Sequence, residues 1–183
     1  MKFSELSQAE FESLRGIWLK EATANEHEVI ATDYEQLFGR IDATKGFGPL
    51  DDRLNVGVFY TVQDANGKHL ALVELVQSRK GMAVWVKMLD MHMCPSIEAS
   101  PDSEGNTQKR LMAFTVALMG IFELASEVRQ ADAIKVFGRT DALITFLRGM
   151  HDSFSVLTSL GTLKGVETTI EGRWLVFRAT KAS

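Results

Sequence analysis

The chain has 183 residues, of which 45% are hydrophobic and 24% charged, and its formal net charge is −4. That balance suits one packed domain over residues 1–183 and excludes a disordered or fibrous chain. Its mild acidity offers no positive field to nucleic acid or anionic lipid, so neither is an expected partner.

Ser7 stands ready to cap a helix from Gln8 to Ala24, with Glu10 at the capping-box position and Phe11, Leu14, Ile17 and Trp18 on one stripe. Met1 to Glu12 carries no apolar run of signal-peptide type, and the single cysteine, Cys94, leaves no disulfide framework, so a cytoplasmic setting is expected. A second helix is predicted over Glu28 to Arg40, with Val29, Ile30, Tyr34, Leu37, Phe38 and Ile41 along one stripe. A loop rich in Gly, Pro and Asp follows, from Asp42 to Arg53.

Three β-runs come next: Asn55 to Gln63, His69 to Gln77 and Met82 to Met93. The Asn66-Gly67 pair suits a tight hairpin between the first two, and Ser78 to Gly81 reads as the next connection. The third run ends at Cys94-Pro95, since proline cannot donate to a ladder. Ser96 to Asn106 then reads as polar and irregular.

Asn106 or Thr107 is the predicted cap of a long helix running to about Gln130. Its apolar stretch, Leu111 to Ala125, is interrupted by Thr115, Gly120 and Glu123 and falls short of the roughly 18 to 20 residues a membrane span needs. It reads as a helix covered on more than one face. Ala133 to Phe137 is a short strand, and Asp141 to Met150 is a helix closed by Gly149 and a His151-Asp152 turn. Ser155 to Leu163 and Trp174 to Ala179 read as the closing strands.

On the third β-run, a period of two puts Asp90, His92 and Cys94 on one face, with Lys87, Leu89, Met91 and Met93 on the other. Asp90 and His92 are candidate bases, and Glu74, between Val73 and Leu75, is a third carboxylate expected to be either functional or paired. As bland readings, His92 is a hydrogen-bonded structural residue and Glu74 faces solvent. Asp90, His92 and Cys94 without a second cluster do not make a metal site, and Cys94 lacks a nucleophile turn, so no metal is expected. The methionines read as core filling, and Trp18, Trp85 and Trp174 as core or interface anchors without interleaved basic residues.

The order of elements, together with Leu89-Asp90-Met91-His92-Met93-Cys94-Pro95 and with Ile134 to Phe137 followed by Thr140-Asp141-Ala142 and Phe146 to Met150, resembles the GNAT (Gcn5-related N-acetyltransferase) superfamily. The resemblance implies an α/β (α+β) fold with a mostly antiparallel mixed sheet flanked by helices, and Lys2 to Leu6 as a first strand. It also implies acetyl transfer from acetyl-CoA to a small-molecule or protein amine, with Asp90, His92 or Glu74 as base.

By the same resemblance Met93, Cys94, Gly105, Asn106, Gln108, Lys109, Arg110 and Asp141 border the cofactor. The loop after Pro95 departs from the family pattern, since it holds one glycine and the acids Glu98, Asp102 and Glu104. The family's tyrosine would fall near Thr145 or Phe146, and neither can donate a proton to a thiolate; spacing puts neither Tyr34 nor Tyr60 on that helix. Two alternatives therefore stand beside the enzyme. One is a GNAT-fold binding or assembly module of the kind frequent in phages and mobile elements, self-associating as a homodimer through the long helix or the terminal strands. The other is a sensor of another acyl or nucleotide ligand.

Overall fold

The structure, a computed structural model, describes residues 1–24, 28–50, 54–100, 103–128, 130–161 and 165–179. Residues 51–53, Asp102 and Leu163, and the side chains of Val29 and Ile30, fall outside that set. In chain order the elements are β1 (Lys2–Glu5), α1 (Gln8–Ala24), α2 (Glu28–Thr44), β2 (Gly57–Gln63), β3 (His69–Lys80), β4 (Ala83–Met93), α3 (Pro95–Glu98), α4 (Glu104–Glu123) continued by a π-helical turn (Leu124–Val128), β5 (Ala133–Phe137), α5 (Asp141–Ser159), β6 (Val166–Glu171) and β7 (Trp174–Ala179). The strands form one sheet in the order β1-β2-β3-β4-β5-β7-β6, antiparallel throughout except for the parallel β4–β5 pair.

Local chemistry explains most of these elements. The Ser7 hydroxyl accepts the Glu10 amide, and the Glu10 carboxylate accepts the Ser7 amide, which closes the capping box at the start of α1. Asp64 Oδ1 accepts the amides of Asn66 and Lys68, and Gly67 takes a φ of 79°, so the β2–β3 turn is set by its own residues. Between β3 and β4 the ladder runs past the predicted connection to Lys80↔Ala83, so Ser78, Arg79 and Lys80 are strand and the turn is tighter than expected. Gly81, at φ 63°, supplies the left-handed position this needs.

Cross-strand register sorts the side chains. Phe59, Glu74 and Asp90 share one face, while Tyr60, Val73, Leu75 and Met88 share the other. Helices α1 and α2 cover the first face through Phe11, Trp18, Tyr34 and Phe38, whose rings pack at centroid separations of 5.4–6.3 Å. Helices α4 and α5 cover the second, where Phe122 and Phe154 both meet Phe177. Burying each such aromatic contributes about 1.5–3 kcal/mol over leaving it exposed.

The β4–β5 ladder extends only from Trp85↔Ala133 to Met88↔Val136, although β4 continues to Met93. At that point the β3–β4 register slips, with Glu74↔Asp90 followed by Leu75↔Met88, and Leu89 is the extra residue. A bulge bends its strand and raises the local twist, so β4 leaves β5 and the sheet forks. The bulge also shifts the side-chain phase: Lys87 joins the Asp90 and His92 face, not the Met91 and Met93 face that a strict period of two predicts.

Several other expectations are corrected. Ile17 is 50% exposed, off the buried stripe of α1. Pro95–Glu98 is a short helix where an irregular segment was expected, because Pro95 suits a first helical position. The cap of α4 is Ser103, whose hydroxyl accepts the Asn106 amide, and not Asn106 or Thr107. Helix α4 is covered on one side only, with Leu111, Met112 and Met119 exposed, and Met82 is almost fully exposed, so the methionines are core filling only in part. Helix α5 runs through Met150, His151 and Asp152 to Ser159, so Ser155 to Ser159 is helix, not strand, and the closing hairpin is β6–β7. Among the described residues no helix is long and apolar enough to cross a membrane.

Gly120 lies where α4 meets β1: a Cβ there would come 2.2 Å from Phe3 Cδ1 and 2.9 Å from Phe3 Cβ. Phe3 in turn stacks on Tyr60 with centroids 5.0 Å apart. Helix propensity alone would make Gly120→Ala stabilising by about 1 kcal/mol. The overlap predicts the opposite sign, a loss of about 1–3 kcal/mol in urea unfolding, because Phe3 cannot clear the methyl without leaving Tyr60.

Candidate active site

The fork opens onto a cleft of about 570 Å³ bounded by α2, the outer half of β4 and the β5–α5 loop. Asp90, Met91 and His92 form its floor, Tyr34, Leu37 and Arg40 come from α2, and Arg139 and Thr140 come from the loop. Helix α2 reaches the cleft because the packing of Tyr34 and Phe38 against Trp18 fixes its rotation. The loop is braced from β7's side by Arg173, which donates to the carbonyls of Gly138 and Arg139 and lies 3.1 Å from Asp141. Thr140 caps α5 by accepting the Leu143 amide.

Two carboxylates that are cross-strand neighbours, Glu74 and Asp90, organise the charges. Arg40 Nη2 lies 3.1 Å from Glu74 Oε2, and Gly57 leaves the space this carboxylate occupies, since a Cβ there would stand 2.7 Å from Glu74 Oε1. Arg139 Nη1 donates to Asp90 Oδ2, and His92 Nε2 lies 3.2 Å from the same oxygen, too oblique for a hydrogen bond. Burial raises the Glu74 pKa, and the neighbouring Asp90 charge adds to this, more than Arg40 lowers it. Burial also works against the Asp90 charge, but His92 and Arg139 outweigh it and bring its pKa down to about 2. Asp90 is therefore a fixed anion, while Glu74 holds a proton more tightly than a free glutamate.

The fork also exposes backbone. Cys94 N–H bonds to Leu70 C=O across β3, so by alternation the peptide groups of Met93 and Met91 turn away from β3, toward the gap. The chain's own side chains take part of this edge: Asp90 Oδ1 accepts the Met91 amide at 2.9 Å, and the Tyr34 hydroxyl donates to the Met93 carbonyl. Burial pushes the Tyr34 pKa far above its ordinary value, so this phenol remains a donor.

The other predicted residues scatter. Cys94 is fully buried, with Sγ 3.3 Å from Ser96 Oγ, and is not among the residues lining this cleft. Gly105, Gln108 and Lys109 are exposed on the first turns of α4. Asn106 donates through Nδ2 to the carbonyls of Ser96 and Ser100, and its own amide is held by Ser103. Arg110 pairs with Glu98 at 2.6 Å. Asp141 opens α5 with its side chain 95% exposed. Thr145 Oγ1 donates to the Asp141 carbonyl, and Phe146 packs on Phe114, so no phenol projects from α5.

Arg40, Arg139 and Tyr34 were missed as site residues. Arg139 had a signal: it stands two residues past the strand that runs parallel to β4, and ligands gather at the carboxyl ends of parallel strands. Arg40 and Tyr34 had none, because their place depends on helix packing. Trp18 is a core residue as expected, but Trp85 and Trp174 do have basic neighbours, since Lys135 Nζ lies 4.3 Å from the Trp85 ring centroid and Lys87 lies near both Trp85 and Trp174. Among the described residues no group of three or more His, Cys, Asp or Glu is arranged to hold a metal ion.

No protein-family model and no curated protein sequence matches the chain. Solved structures do. One described as a probable acetyltransferase aligns with a TM-score of 0.50 and 12% identity over 84% of this chain and 88% of its own. A GNAT family acetyltransferase from Brucella melitensis in complex with acetyl-CoA aligns at a TM-score of 0.46 and 12% identity over 96% and 86%. A protein from Corynebacterium glutamicum described as histone acetyltransferase HPA2 and related acetyltransferase gives 0.47 and 11% over 100% and 97%. The chain has the fold of the GNAT acetyltransferases, with its mixed sheet between helices.

The Asp90 geometry makes a stability prediction. A carboxylate whose pKa falls on folding stabilises the native state above its unfolded value, and that gain is lost as pH falls through the folded one. Asp90→Asn is expected to cost about 2 kcal/mol near neutral pH. In urea unfolding the gap between variant and wild type should close as pH drops from 3.8 toward about 2.

Proposed function

We propose that this chain transfers an acyl group from an acyl-CoA thioester to an amine held in the cleft at the β4–β5 fork. The observation that carries the reading is the meeting, at one fork, of an amide-bearing strand edge with a carboxylate–imidazole pair. An exposed strand edge pairs with other amide chains, and the pantetheine arm of CoA carries amides of its own.

The residues present meet the two ends of such a donor unequally. At the thioester end the Met91 and Met93 peptide groups face the gap, with Cys94 packed behind the strand end. At the diphosphate end the support is thinner: Lys109, Gly105 and Gln108 are available at the start of α4, while Asn106 and Arg110 are committed to the loop itself. Those residues would hold the donor, with Asp141 at the start of α5 across the fork.

Bound acyl-CoA supplies an electrophilic carbonyl carbon: the amine lone pair forms the N–C bond, the C–S bond breaks, its electrons leave on sulfur, and the thiolate takes a proton from solvent. His92 is the base. Its Nε2 is buried against Asp90, which leaves Nδ1 to take the proton from the amine nitrogen. Asp90, ionised at any working pH, stabilises the imidazolium that forms, and Arg139 keeps that carboxylate in place. Glu74, the third candidate base, is paired with Arg40 and does not line the cleft. Tyr34 fixes the end of β4 through the Met93 carbonyl.

One observation favours a second reading, a non-catalytic module. The amide that opens α4 already belongs to Ser103, and the fork amide of Met91 to Asp90, so both positions are filled without a donor. One experiment separates the two. Wild-type protein, acetyl-CoA and a mixed amine panel should release free thiol, and His92→Ala should lower kcat by about a hundredfold or more while donor affinity by calorimetry stays unchanged. Absence of both thiol release and calorimetric binding at millimolar acetyl-CoA would establish the module instead.

A further inference from the structure

The cleft's charge pattern bears on the acceptor, on the premise of the acyl-transfer reading above. The carboxylates in and beside it are almost all matched: Glu74 by Arg40, Asp90 by Arg139, and Glu98 by Arg110. Only Asp33, on the rim, lacks a described cation partner. With one carboxylate left unmatched, the cleft has little net negative field to hold a polycation. A polyamine acceptor is poorly matched.

The arginines are only partly used. A guanidinium has five N–H donors in a planar fork. Arg40 commits Nη2 to Glu74, and Arg139 commits Nη1 to Asp90, yet their side chains remain 44% and 59% exposed, respectively. Each is therefore anchored at one nitrogen and offers its remaining donors to the open cleft. An arginine so anchored is preorganised for a second carboxylate, because part of its side-chain entropy is already lost. A dianion such as a phosphate would meet Asp33, Asp90 and Glu98 around the same space, and a singly charged carboxylate meets less of that repulsion.

We infer that the acceptor is an amine bearing a carboxylate on a nearby carbon, an α-amino acid or close analogue, with the carboxylate held by Arg40 and Arg139 and the amine directed to His92. The short separation of the two groups follows from the network. His92 and Arg139 meet the same Asp90 oxygen, so the proton-accepting ring and the carboxylate-binding fork stand side by side. The substrate's own charges repeat, in reverse, the pairing that the protein makes internally.

The test titrates the protein calorimetrically, in the presence of CoA, with the common L-amino acids and with the carboxamide of each, and follows thiol release from acetyl-CoA in parallel. At least one amino acid should bind about tenfold or more tightly than its carboxamide, which keeps the amine and loses the charge. Arg40→Gln and Arg139→Gln should each bring that ratio toward one with carboxamide affinity little changed. If a variant fails to fold, the wild-type ratio still decides. Equal binding of acid and carboxamide, or binding of simple alkylamines and polyamines with no amino acid bound, overturns the inference. Preference for the acid form without any thiol release upholds the charge reading and overturns acyl transfer, so the two failures are distinct.

Discussion

The bulge at Leu89 is the constraint on which the rest of the molecule turns. A parallel ladder between β4 and β5 begins at Trp85 and would continue if both strands kept their twist. The extra residue bends β4 away after Met88, and each residue beyond it loses its neighbour on that side. An open strand edge in the middle of a sheet is costly unless something satisfies its peptide groups. The cleft, the position of His92 and the contacts made by Asp90 and Tyr34 all follow from that opening.

The electrostatics of the site follow from the same bend. The bulge sets Asp90 opposite Glu74 on the face covered by α2, so two carboxylates share a half-buried space. Neither can remain charged there without a counter-charge, and the fold brings one arginine from each wall. Their unequal supply of partners divides their behaviour. Asp90, with Arg139 and His92 against it, stays ionised, and Glu74, where burial outweighs Arg40, is pushed toward its neutral form. Two acidic groups on neighbouring strands thereby acquire different properties, which is what acid–base chemistry requires.

Much of the fold was legible along the chain. The capping box of α1, the hairpin glycines and the β5 strand each depend on residues within a few positions of one another, and each was read at its true place. The end of α5 was not. Gly149 and the His151-Asp152 pair are ordinary stop signals, yet the helix continues, because Phe154 packs on Phe177 and His151 Nδ1 bonds to Thr168 Oγ1, both on strands far along the chain. Tertiary packing outweighed a local signal. The cap of α4 was misplaced for a smaller reason: Ser103, Asn106 and Thr107 all suit the position, and the contact of Asn106 with Ser96 and Ser100 decides among them.

Local pattern carried most of the elements, their order and the presence of Asp90 and His92 at the end of the central strand, because hydrophobic periodicity and turn chemistry are short-range; α3 and β6 were not among them. Only the tertiary structure decided which face Lys87 takes, that Cys94 is withdrawn from the cleft, and that Arg40, Arg139 and Tyr34 meet there. A one-residue bulge leaves almost no mark on a hydrophobic pattern, yet it reverses the facing of every side chain on one side of it relative to the other. Ion pairs between residues 34 and 49 positions apart depend on how helices rotate and loops close, which no local window contains.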